Sequence, residues 1–467
     1  MLNSIDFSGK PFHFLGVGGI GMSALAYVLA DRQLPVSGSD LRLTPITERL
    51  QRMGVHVFLE QAASNLSFFQ GETQGGGLPQ VICSTAIHGD NPEYKAALDL
   101  GCPIFHRSDV LAGLIAQYQT ISVAGTHGKT TTSSLMAHML VEGGLDPTVI
   151  VGGEVQNWGS NARVGRGPYL VAEADESDGS LVKFKSAIGI ITNIELDHID
   201  HYSGGLDQVV ETFQQFAQAS QRVVGCIDCP IVRDRIRPAV TYSLDPESGA
   251  DYIADAIEYG GHGTKAMVSE RGERLGEIEL QLLGAHNLSN ALAAVAVGRM
   301  LGMEFGAIAP GLATFRGARR RFELRGEAGG VRFIDDYAHH PSELQVTLAA
   351  AKVQAEKDDR RLVAIFQPHR YSRTLTFLPE FAQSFVNADL VVISDIYSAG
   401  EANPEGISGQ VLADAIAAHR RDVHYQATLP EVRTFLGATL ASGDLAIFLG
   451  AGNLNQVIPD LIADRGG

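Results

Sequence analysis

Residues 120–131 read TISVAGTHGKTT, and this stretch decides how the chain folds around its first clear ligand site. The apolar, β-branched run over 120–124 predicts a strand, and the residues after the loop predict a helix over 132–142. A Gly-x-x-Gly-Lys-Thr loop in this setting is a shortened phosphate-binding loop. Backbone N–H groups and the helix N-terminus attract phosphates, and the lysine reaches the β- and γ-phosphates. The loop predicts an ATP site, with Lys129 catalytic, made of Gly125, Thr126, His127, Gly128, Lys129, Thr130 and Thr131.

Acidic residues downstream of this loop offer ligands for a metal. A nucleoside triphosphate is bound with Mg²⁺, a hard cation that takes oxygen ligands. One apolar strand ends in Glu173, with Glu176 and Asp178 close behind, and a second ends in an Asp-His-x-Asp motif that contains His198. We predict that Thr130, Glu173 and His198 hold Mg²⁺, or Mn²⁺ in its place. Glu176 and Asp178 stay open as ligands or as a solvated acidic turn, and His198 taken alone is typical of a structural histidine.

A second glycine loop lies near the start of the chain. Residues 12–15 (FHFL) predict a strand, the loop GVGGIG follows over 16–21, and a helix is predicted over 22–30. In this G-x-G-x-x-G pattern the glycines let the backbone approach a diphosphate at a helix N-terminus. Asp40 falls where a ribose-binding carboxylate is expected. A dinucleotide, another nucleotide diphosphate and a structural turn all stay open. The candidate residues are Gly16, Gly18, Gly19, Ile20, Gly21, Met22, Ser39 and Asp40.

Short β-branched strands alternate with amphipathic helices along most of the chain, which is typical of parallel sheets covered by helices. A third strand-rich region is predicted at 331–336, 362–366, 390–393 and 445–449. We predict an α/β fold of three domains: Rossmann-like over 1–118, P-loop-type ATPase over 119–318, and Rossmann-like over 319–467. The basic run over 319–321 lies at the second boundary and is a candidate hinge.

Composition limits the partners and the compartment. The chain has 467 residues, and 53 acidic against 36 basic side chains give a net charge of −17, which repels nucleic acid and anionic membranes. It contains no apolar run of 18 residues, and its first residues lack the basic-then-apolar pattern of a signal peptide. We expect a cytoplasmic protein without membrane insertion and without a nucleic-acid partner, and we leave a monomer and a homodimer both open.

Several motifs together resemble the Mur ligase family, which belongs to one superfamily with folylpolyglutamate synthase. They are GTHGKT at 125–130, the strand that ends in Glu173, and the pair Asp197-His198. Further motifs are similar to the alanine-adding branch of that family: FLGVGGIGMS at 14–23, DYAHHP at 336–341, FQPHRYSRT at 366–374 and YSAGE at 397–401. The resemblance covers residues 11–455.

The resemblance implies a three-domain, ATP-dependent ligase that forms an amide bond. It implies that L-alanine is joined to the lactyl carboxylate of UDP-N-acetylmuramate, a step of peptidoglycan precursor synthesis. The carboxylate would first become an acyl phosphate, with ADP and then phosphate released. The first glycine loop would then bind the UDP-sugar and not a dinucleotide, and the third domain would close over the reactive intermediate.

The resemblance also implies roles for residues outside the two loops. The implied sets are Ser84, Thr85, His106 and Arg107 for the UDP-sugar; His286, Asn287 and Asn290 for adenine; Arg321 and Asp336 for ATP across domains; and His340, His369, Arg370 and Arg373 for the amino acid and carboxylate. Arg321 and His340 are also implied to be catalytic, together with Glu173 and His198. An arginine fork suits a carboxylate bidentately. Without the family, Asn287 is interpreted as a helix N-cap and the arginine run as a solvated face.

Two departures and three other interpretations stay open. No lysine lies between Lys185 and Lys265, so the carbamylated lysine of several sister ligases is absent, as it is in the alanine-adding branch. Asn453 stands where the family leads us to expect an aspartate. A muropeptide-recycling ligase shares these motifs but attaches a tripeptide. A nicotinamide-dependent oxidoreductase explains only the first loop, and a regulatory protein would bind ATP without catalysis.

Overall fold

The computed structural model describes residues 4–70, 77–403 and 406–466, and within them the chain forms three sheets flanked by helices. Each sheet contains parallel strands linked through helices, so the α/β class predicted from the alternating pattern is confirmed. In the described ranges, no helix is both long enough and apolar enough to span a membrane.

The first sheet has the strand order β3-β2-β1-β4-β5, with every neighbouring pair parallel. Its strands are β1 Phe12–Leu15, β2 Val36–Ser39, β3 His56–Phe58, β4 Gln80–Cys83 and β5 Ile104–His106, and its helices are α1 Ile20–Asp31, α2 Pro45–Arg52, α3 Pro92–Asp99 and α4 Arg107–Ile115. The chain order reverses on the two sides of β1, and ligands bind in the crevice at such a switch point. The first glycine loop follows β1 and opens α1, as predicted.

A buried polar network fixes the strands below this loop. His13 contacts Ser37 at 2.7 Å and Glu93 at 2.8 Å through its two ring nitrogens. Glu93 also accepts hydrogen bonds from Ser39 at 2.5 Å and from Asn65 at 2.8 Å. Buried polar groups are expensive unless each has a partner, and here each does. The network therefore holds β1, β2 and α3 in one register beneath the loop.

The second sheet has the order β15-β14-β13-β12-β11-β10-β6-β9-β7-β8. Its strands are β6 Gln119–Ala124, β7 Thr148–Val155, β8 Ser160–Arg163, β9 Tyr169–Glu173, β10 Ile188–Ile191, β11 Arg222–Cys226, β12 Val240–Ser243, β13 Tyr252–Tyr259, β14 Thr264–Glu270 and β15 Glu273–Leu280. Its helices are α5 Lys129–Glu142, α6 Gly205–Ala219, α7 Ala285–Met300 and α8 Phe305–Ala313. β6 lies between β10 and β9, so the phosphate-binding loop opens at a switch point with the ends of both neighbours beside it.

The third sheet has the order β16-β17-β21-β18-β19-β20 and is parallel except for the edge pair β16 and β17. Its strands are β16 Glu323–Ala328, β17 Val331–Asp336, β18 Arg361–Phe366, β19 Leu390–Ile393, β20 Val423–Tyr425 and β21 Asp444–Leu449. Its helices are α9 Pro341–Lys357, α10 Tyr371–Thr376, α11 Leu378–Gln383, α12 Gly409–Ala417, α13 Leu429–Thr439 and α14 Ile458–Arg465. The strands predicted in this region all form, within one residue of the predicted bounds.

The connection from the second sheet to the third has an unusual backbone. Gly317, Arg320 and Phe322 have φ values of 94°, 57° and 52°. A positive φ is uncommon for residues with a side chain, so the chain changes direction sharply here. Arg319 donates to Glu154 of β7 at 3.0 Å and ties this connection to the second sheet. The hinge at 319–321 stays a prediction, and so do the boundaries near 118 and 318.

Candidate active site

A cavity of 1130 Å³ opens where the three sheets meet, and residues from all three line it. The glycine loop after β1 faces the phosphate-binding loop after β6 across this space, and side chains that follow β18 complete the wall. The predicted site residues that line it are Gly19, Ile20, Gly21, Met22, Ser84, Thr85, Arg107, Thr126, His127, Gly128, Lys129, Thr130, Glu173, His198, Arg321, His369, Arg370 and Arg373. Both anion-binding loops therefore open into one space.

The phosphate-binding loop needs its glycines for conformation and for space. Gly125 and Gly128 have φ values of 144° and 82°, which residues with a side chain rarely adopt. A Cβ atom on Gly128 would lie 2.8 Å from Oδ1 of Asn290. α5 begins at Lys129, three residues before the predicted start, so its free N–H groups lie at the loop itself. The local geometry is that of a cradle for phosphate.

Lys129 is held inside the loop by oxygen atoms. Its ammonium donates to the carbonyl oxygens of Gly125 at 2.7 Å and Thr126 at 3.1 Å, and it pairs with Glu176 at 2.7 Å. Burial alone would lower the pKa of Lys129, but the carboxylates of Glu176, Asp175 and Glu173 outweigh burial and raise it. Burial raises the pKa of Glu176 to about 7. Lys129 therefore stays charged, and Glu176 is easily protonated when that charge moves away.

Thr130 and Glu173 meet as the metal prediction requires. The Thr130 hydroxyl donates to Oε2 of Glu173 at 2.9 Å, and the same oxygen accepts from the Gly152 N–H at 2.8 Å. A hydroxyl and a carboxylate beside a phosphate cradle fit the oxygen preference of Mg²⁺. His198 lines the same cavity with φ 50°, and its Nε2 lies 3.8 Å from Glu176. Burial lowers the pKa of His198 and so favours the neutral, metal-binding form.

The two other acidic candidates point to different partners. Glu176 pairs with Lys129, and Tyr202 donates to its carbonyl oxygen at 2.5 Å. Asp178 lies 3.5 Å from Arg107 and 3.7 Å from His106, toward the first sheet. Asp178 thus contacts residues of the first sheet's unit, and Glu176 contacts the phosphate-binding loop.

A second cavity of 620 Å³ adjoins the first behind the phosphate-binding loop. Apolar side chains such as Ile194 and Val346 form part of its wall, which suits a flat base. Burial lowers the pKa of His286 to about 4, and burial raises that of Asp336 to about 6. The predicted adenine residues His286, Asn287 and Asn290 line this cavity. Arg321 and Asp336, which the resemblance assigns to ATP across domains, line it too, together with His127, Gly128 and Thr131.

The N-cap interpretation of Asn287 is wrong. The N-cap of α7 is Gly284 with φ 88°, because the chain turns there without a side chain to obstruct it. Asn287 lies inside the first turn, and its amide donates to the Leu283 carbonyl oxygen at 2.8 Å. Its carbonyl oxygen accepts from Asn290 at 3.4 Å. The two amides thus form one polar edge of the second cavity.

Part of the first glycine loop supports the site without lining it. Asp40 accepts a hydrogen bond from the Gly18 N–H at 2.8 Å and one from Arg42 at 3.2 Å. Ser39 is buried, and its hydroxyl is bonded to Glu93. The described lining of the large cavity leaves out Gly16, Gly18, Ser39 and Asp40. Their ligand contacts stay predictions, and the contacts observed are those that shape the loop.

His106 and His340 both begin helices. His106 is the N-cap of α4 and accepts from Ser108 N. His340 is the N-cap of α9, accepts from Ser342 N at 3.4 Å, and packs against Phe377 with ring centroids 4.8 Å apart. His340 is absent from the described lining of both cavities, and its Nε2 is buried without a described partner. The observed contacts of His340 therefore give no support to its predicted catalytic role, which stays a prediction.

The arginines after β18 are engaged with the second sheet. Arg373 donates to Oδ1 of Asp197 at 2.8 Å, and the two side chains are only 5% and 7% exposed. Arg370 donates to Asp200 at 2.8 Å, and these side chains are 30% and 53% exposed. Burial lowers the pKa of His369 to about 3, so this ring is neutral beside them. The ion pairs join the third sheet to the loop that carries His198.

Arg373 and Arg370 allow a buried ion pair to be compared with an exposed one for its effect on stability. We expect Arg373→Gln to lower the free energy of unfolding by about 3–5 kcal/mol, because it leaves the Asp197 carboxylate buried without its counter-charge. Arg370→Gln removes an exposed pair and should cost about 0–1 kcal/mol. Urea unfolding of both variants measures the difference. Equal losses in the two variants would contradict the importance assigned to the buried pair.

Sequence reasoning missed two acids that flank His127 of the phosphate-binding loop: Glu195, which follows β10 of the second sheet, and Glu343, which lies in α9 beside the third sheet. His127 lies 3.4 Å from Glu195 and 3.3 Å from Glu343. Burial would lower the pKa of His127, but hydrogen bonds to Glu195 and Glu343 raise it to about 9. Glu343 also lies 3.9 Å from Arg321. The signal available in sequence was the capping box that Glu343 completes at the start of α9.

Comparison with known proteins agrees with this architecture. Models described as "Mur ligase family, catalytic domain", "Mur ligase middle domain" and "Mur ligase, glutamate ligase domain" match residues 11–119, 123–298 and 320–452. The chain belongs to the Mur ligase family. The resemblance inferred from the loops and the DYAHHP and FQPHRYSRT motifs is confirmed.

Similar proteins match nearly the whole length of this Mur ligase. It is 64% identical to a protein of Nostoc punctiforme named UDP-N-acetylmuramate–L-alanine ligase, over 99% of this chain and 98% of that protein. A protein of Microcystis aeruginosa with the same name is 58% identical over 99% and 97%. The crystal structure of UDP-N-acetylmuramate-alanine ligase from Thermotoga maritima has a TM-score of 0.82 and 29% identity, over 97% of this chain and 98% of that one. A murein peptide ligase of Psychrobacter arcticus has a TM-score of 0.72 and 23% identity over 98% and 99%, and shows likeness of fold alone.

Proposed function

We propose that this Mur ligase joins L-alanine to the lactyl carboxylate of UDP-N-acetylmuramate at the expense of ATP, with release of ADP and phosphate. The observation that carries the proposal is that two separate anion-binding loops open into one cavity of 1130 Å³. A carboxylate on one phosphorylated molecule can there meet the terminal phosphate of the other. Relatives at 58% and 64% identity over nearly the full chain bear the name of this activity, which supports the choice of substrates.

The phosphate-binding loop supplies most of the chemistry of phosphoryl transfer. Phosphoryl transfer depends mainly on positioning and on neutralising charge. Lys129 exchanges its contacts with Glu176 and the loop carbonyls for phosphate oxygens. Thr130 and Glu173 would hold Mg²⁺, with His198 beside them, and the ion would neutralise charge on the phosphates when bound. Arg321 borders both cavities, so it adds positive charge where the nucleotide passes from one to the other.

The acyl phosphate that results is easily hydrolysed and needs protection from water. The third sheet supplies this protection from water. Arg373 and Arg370 hold it against the second sheet at the edge of the cavity, through ion pairs with Asp197 and Asp200. The amine of L-alanine then attacks the acyl carbon, and phosphate leaves. Since His369 is uncharged and near these arginines, it suits contact with the amino acid. ATP and UDP-sugars are made in the cytoplasm, and we place the enzyme there, as a monomer or homodimer.

Oxygen transfer tests this proposal. UDP-N-acetylmuramate labelled with ¹⁸O in its lactyl carboxylate is incubated with ATP, Mg²⁺ and L-alanine. We expect one ¹⁸O atom in each phosphate released, because the carboxylate oxygen leaves with the phosphoryl group. Mass spectrometry of the phosphate measures the label. Unlabelled phosphate alongside amide product would overturn the acyl-phosphate route.

A parallel reaction distinguishes the amino-acid substrate. The same mixture is supplied with the tripeptide of muropeptide recycling in place of L-alanine. We expect phosphate release to depend on L-alanine and to be negligible with the tripeptide. Release with the tripeptide alone would reassign the enzyme to recycling. ATP binding without release in either mixture would favour a regulatory protein.

A further inference from the structure

A cluster of nitrogen and oxygen donors lies between the phosphate-binding loop and the third sheet, apart from Thr130 and Glu173. One ligand atom each from His127, Glu195 and His340 lies within 4.8 Å of the other two. His127 belongs to the loop, Glu195 follows β10, and His340 begins α9. Three segments that are distant in the sequence thus converge on one point.

The distances are close to those of a metal site. Glu195 Oε2 lies 3.4 Å from Nε2 of His127 and 3.8 Å from Nδ1 of His340. Zinc bonds to His nitrogen and carboxylate oxygen measure about 2.0–2.2 Å, so tetrahedral ligand atoms lie about 3.3 Å apart. Small side-chain movements therefore bring the three atoms to bonding distance, and Nδ1 of His340 exchanges its 3.4 Å hydrogen bond from Ser342 N for the bond to the ion. Two imidazoles and one carboxylate favour zinc over magnesium, which prefers oxygen ligands.

The surroundings supply the hydrogen bonds that metal ligands usually have. The other ring nitrogen of His127 faces Glu343 at 3.3 Å, and histidine ligands commonly donate their second N–H to a carboxylate. Glu195 accepts from the Ser342 hydroxyl at 2.6 Å, which fixes its carboxylate. The His127 and His340 rings lie 4.9 Å apart between centroids. The arrangement orients its donors before any ion arrives.

The carboxylates around His127 favour positive charge on that ring, whereas burial and the charge of His127 lower the pKa of His340. Hydrogen bonds to Glu195 and Glu343 overcome burial and raise the pKa of His127 to about 9. A divalent ion would take the place of that proton between the same carboxylates. Glu195 is 41% exposed and borders the second cavity, so an ion can reach the donors from solvent. The His340 side chain is only 5% exposed and is fixed against Phe377.

We propose that His127, Glu195 and His340 bind a divalent transition metal such as Zn²⁺, and that the bound ion clamps the phosphate-binding loop to α9. Water completes a four-coordinate site with three protein ligands. Metal in this position would join the phosphate-binding loop of the second sheet to the start of α9 beside the third sheet. The site stands on its own donors and does not depend on the identity of the substrates.

Zinc titration of the free protein in saturating Mg²⁺ tests the site. We expect one Zn²⁺ to bind, with affinity at least about tenfold weaker in Glu195→Gln, since loss of a ligand exceeds the usual effect of losing a supporting partner. Glu195 is part-exposed, so this variant keeps its packing, and thermal unfolding checks it. His198→Gln and the exposed His419→Gln are controls that should bind zinc like wild type.

Three outcomes of the zinc titration would overturn the proposal. They are absence of zinc binding by wild type, unchanged affinity in Glu195→Gln, and loss of zinc in His198→Gln with retention in Glu195→Gln. The last places the ion at the nucleotide-metal site. Co²⁺ gives a second measurement: wild type should develop the intense visible bands of a four-coordinate ion, and Glu195→Gln should lack them. Wild type without these bands also contradicts the site.

Discussion

Lys129→Met should lower kcat about 10²–10³-fold while leaving the UDP-sugar site intact. The variant keeps the length of the side chain but removes the ammonium that neutralises the transferring phosphate, and losing one such charge-stabilising contact costs about 2.7–4 kcal/mol in the transition state. ATP-dependent phosphate release in the presence of both substrates measures the effect. Turnover close to wild type would contradict the phosphoryl-transfer role of the loop.

The same substitution also has a structural cost, which the contacts of Lys129 explain. From the sequence alone, Lys129 is expected to face phosphate and to be dispensable for folding. The ammonium in fact neutralises Glu176, whose side chain is 3% exposed. Breaking a buried pair typically costs about 3–5 kcal/mol. We expect a smaller loss here, because burial already raises the pKa of Glu176 to about 7 and the carboxyl can take up a proton.

The double variant Lys129→Met/Glu176→Gln separates the two effects. It removes the buried carboxylate along with the ammonium, so its free energy of unfolding should return toward that of wild type. Its kcat should stay as low as that of Lys129→Met. Recovery of turnover in the double variant would mean that the single variant fails through misfolding of the loop and not through loss of charge.

Local sequence was sufficient to predict both anion-binding loops. The turn at Gly125 and Gly128 and the helix that follows depend on residues adjacent in the chain, so the pattern determines the geometry. The meeting of Thr130 with Glu173 also follows from topology, because β6 and β9 are parallel neighbours and their ends share an edge. The contact between these two side chains could be predicted because the pairing of their two strands could be predicted.

Contacts between distant segments could not be predicted in this way. Arg373 and Asp197 are 176 positions apart, and His127 and Glu343 are 216 positions apart. Nothing in either motif indicates that the arginine fork already binds a carboxylate of the protein. Ser39 shows the same limit on a smaller scale, since its bond to Glu93 depends on how α3 packs against the first sheet. Side-chain partners require the packing of whole sheets, which no single motif contains.

The two loops can be separated experimentally at Gly18, in the first of them. A Cβ atom there would lie 2.7 Å from Oδ2 of Asp40 and 3.0 Å from Thr47 Cγ2. Thr47 is buried in α2, so the loop itself must move, and the hydrogen bond from Gly18 N–H to Asp40 is lost. We expect Gly18→Val to raise KM for UDP-N-acetylmuramate at least about tenfold, equivalent to about 1.4 kcal/mol of binding.

ATP binding should be unaffected by Gly18→Val, because the phosphate-binding loop follows β6 in the second sheet and Gly18 follows β1 in the first. KM for ATP, measured at saturating UDP-sugar, and binding of ATP alone should both match wild type. Gly89→Val is the matched control: Gly89 is exposed in the same sheet unit, and an added Cβ meets no atom within 4 Å. We expect Gly18→Val to act on the UDP-sugar alone, since its clash is confined to the first loop. Equal loss of both ligands in this variant, with Gly89→Val unaffected, would therefore contradict two separate sites.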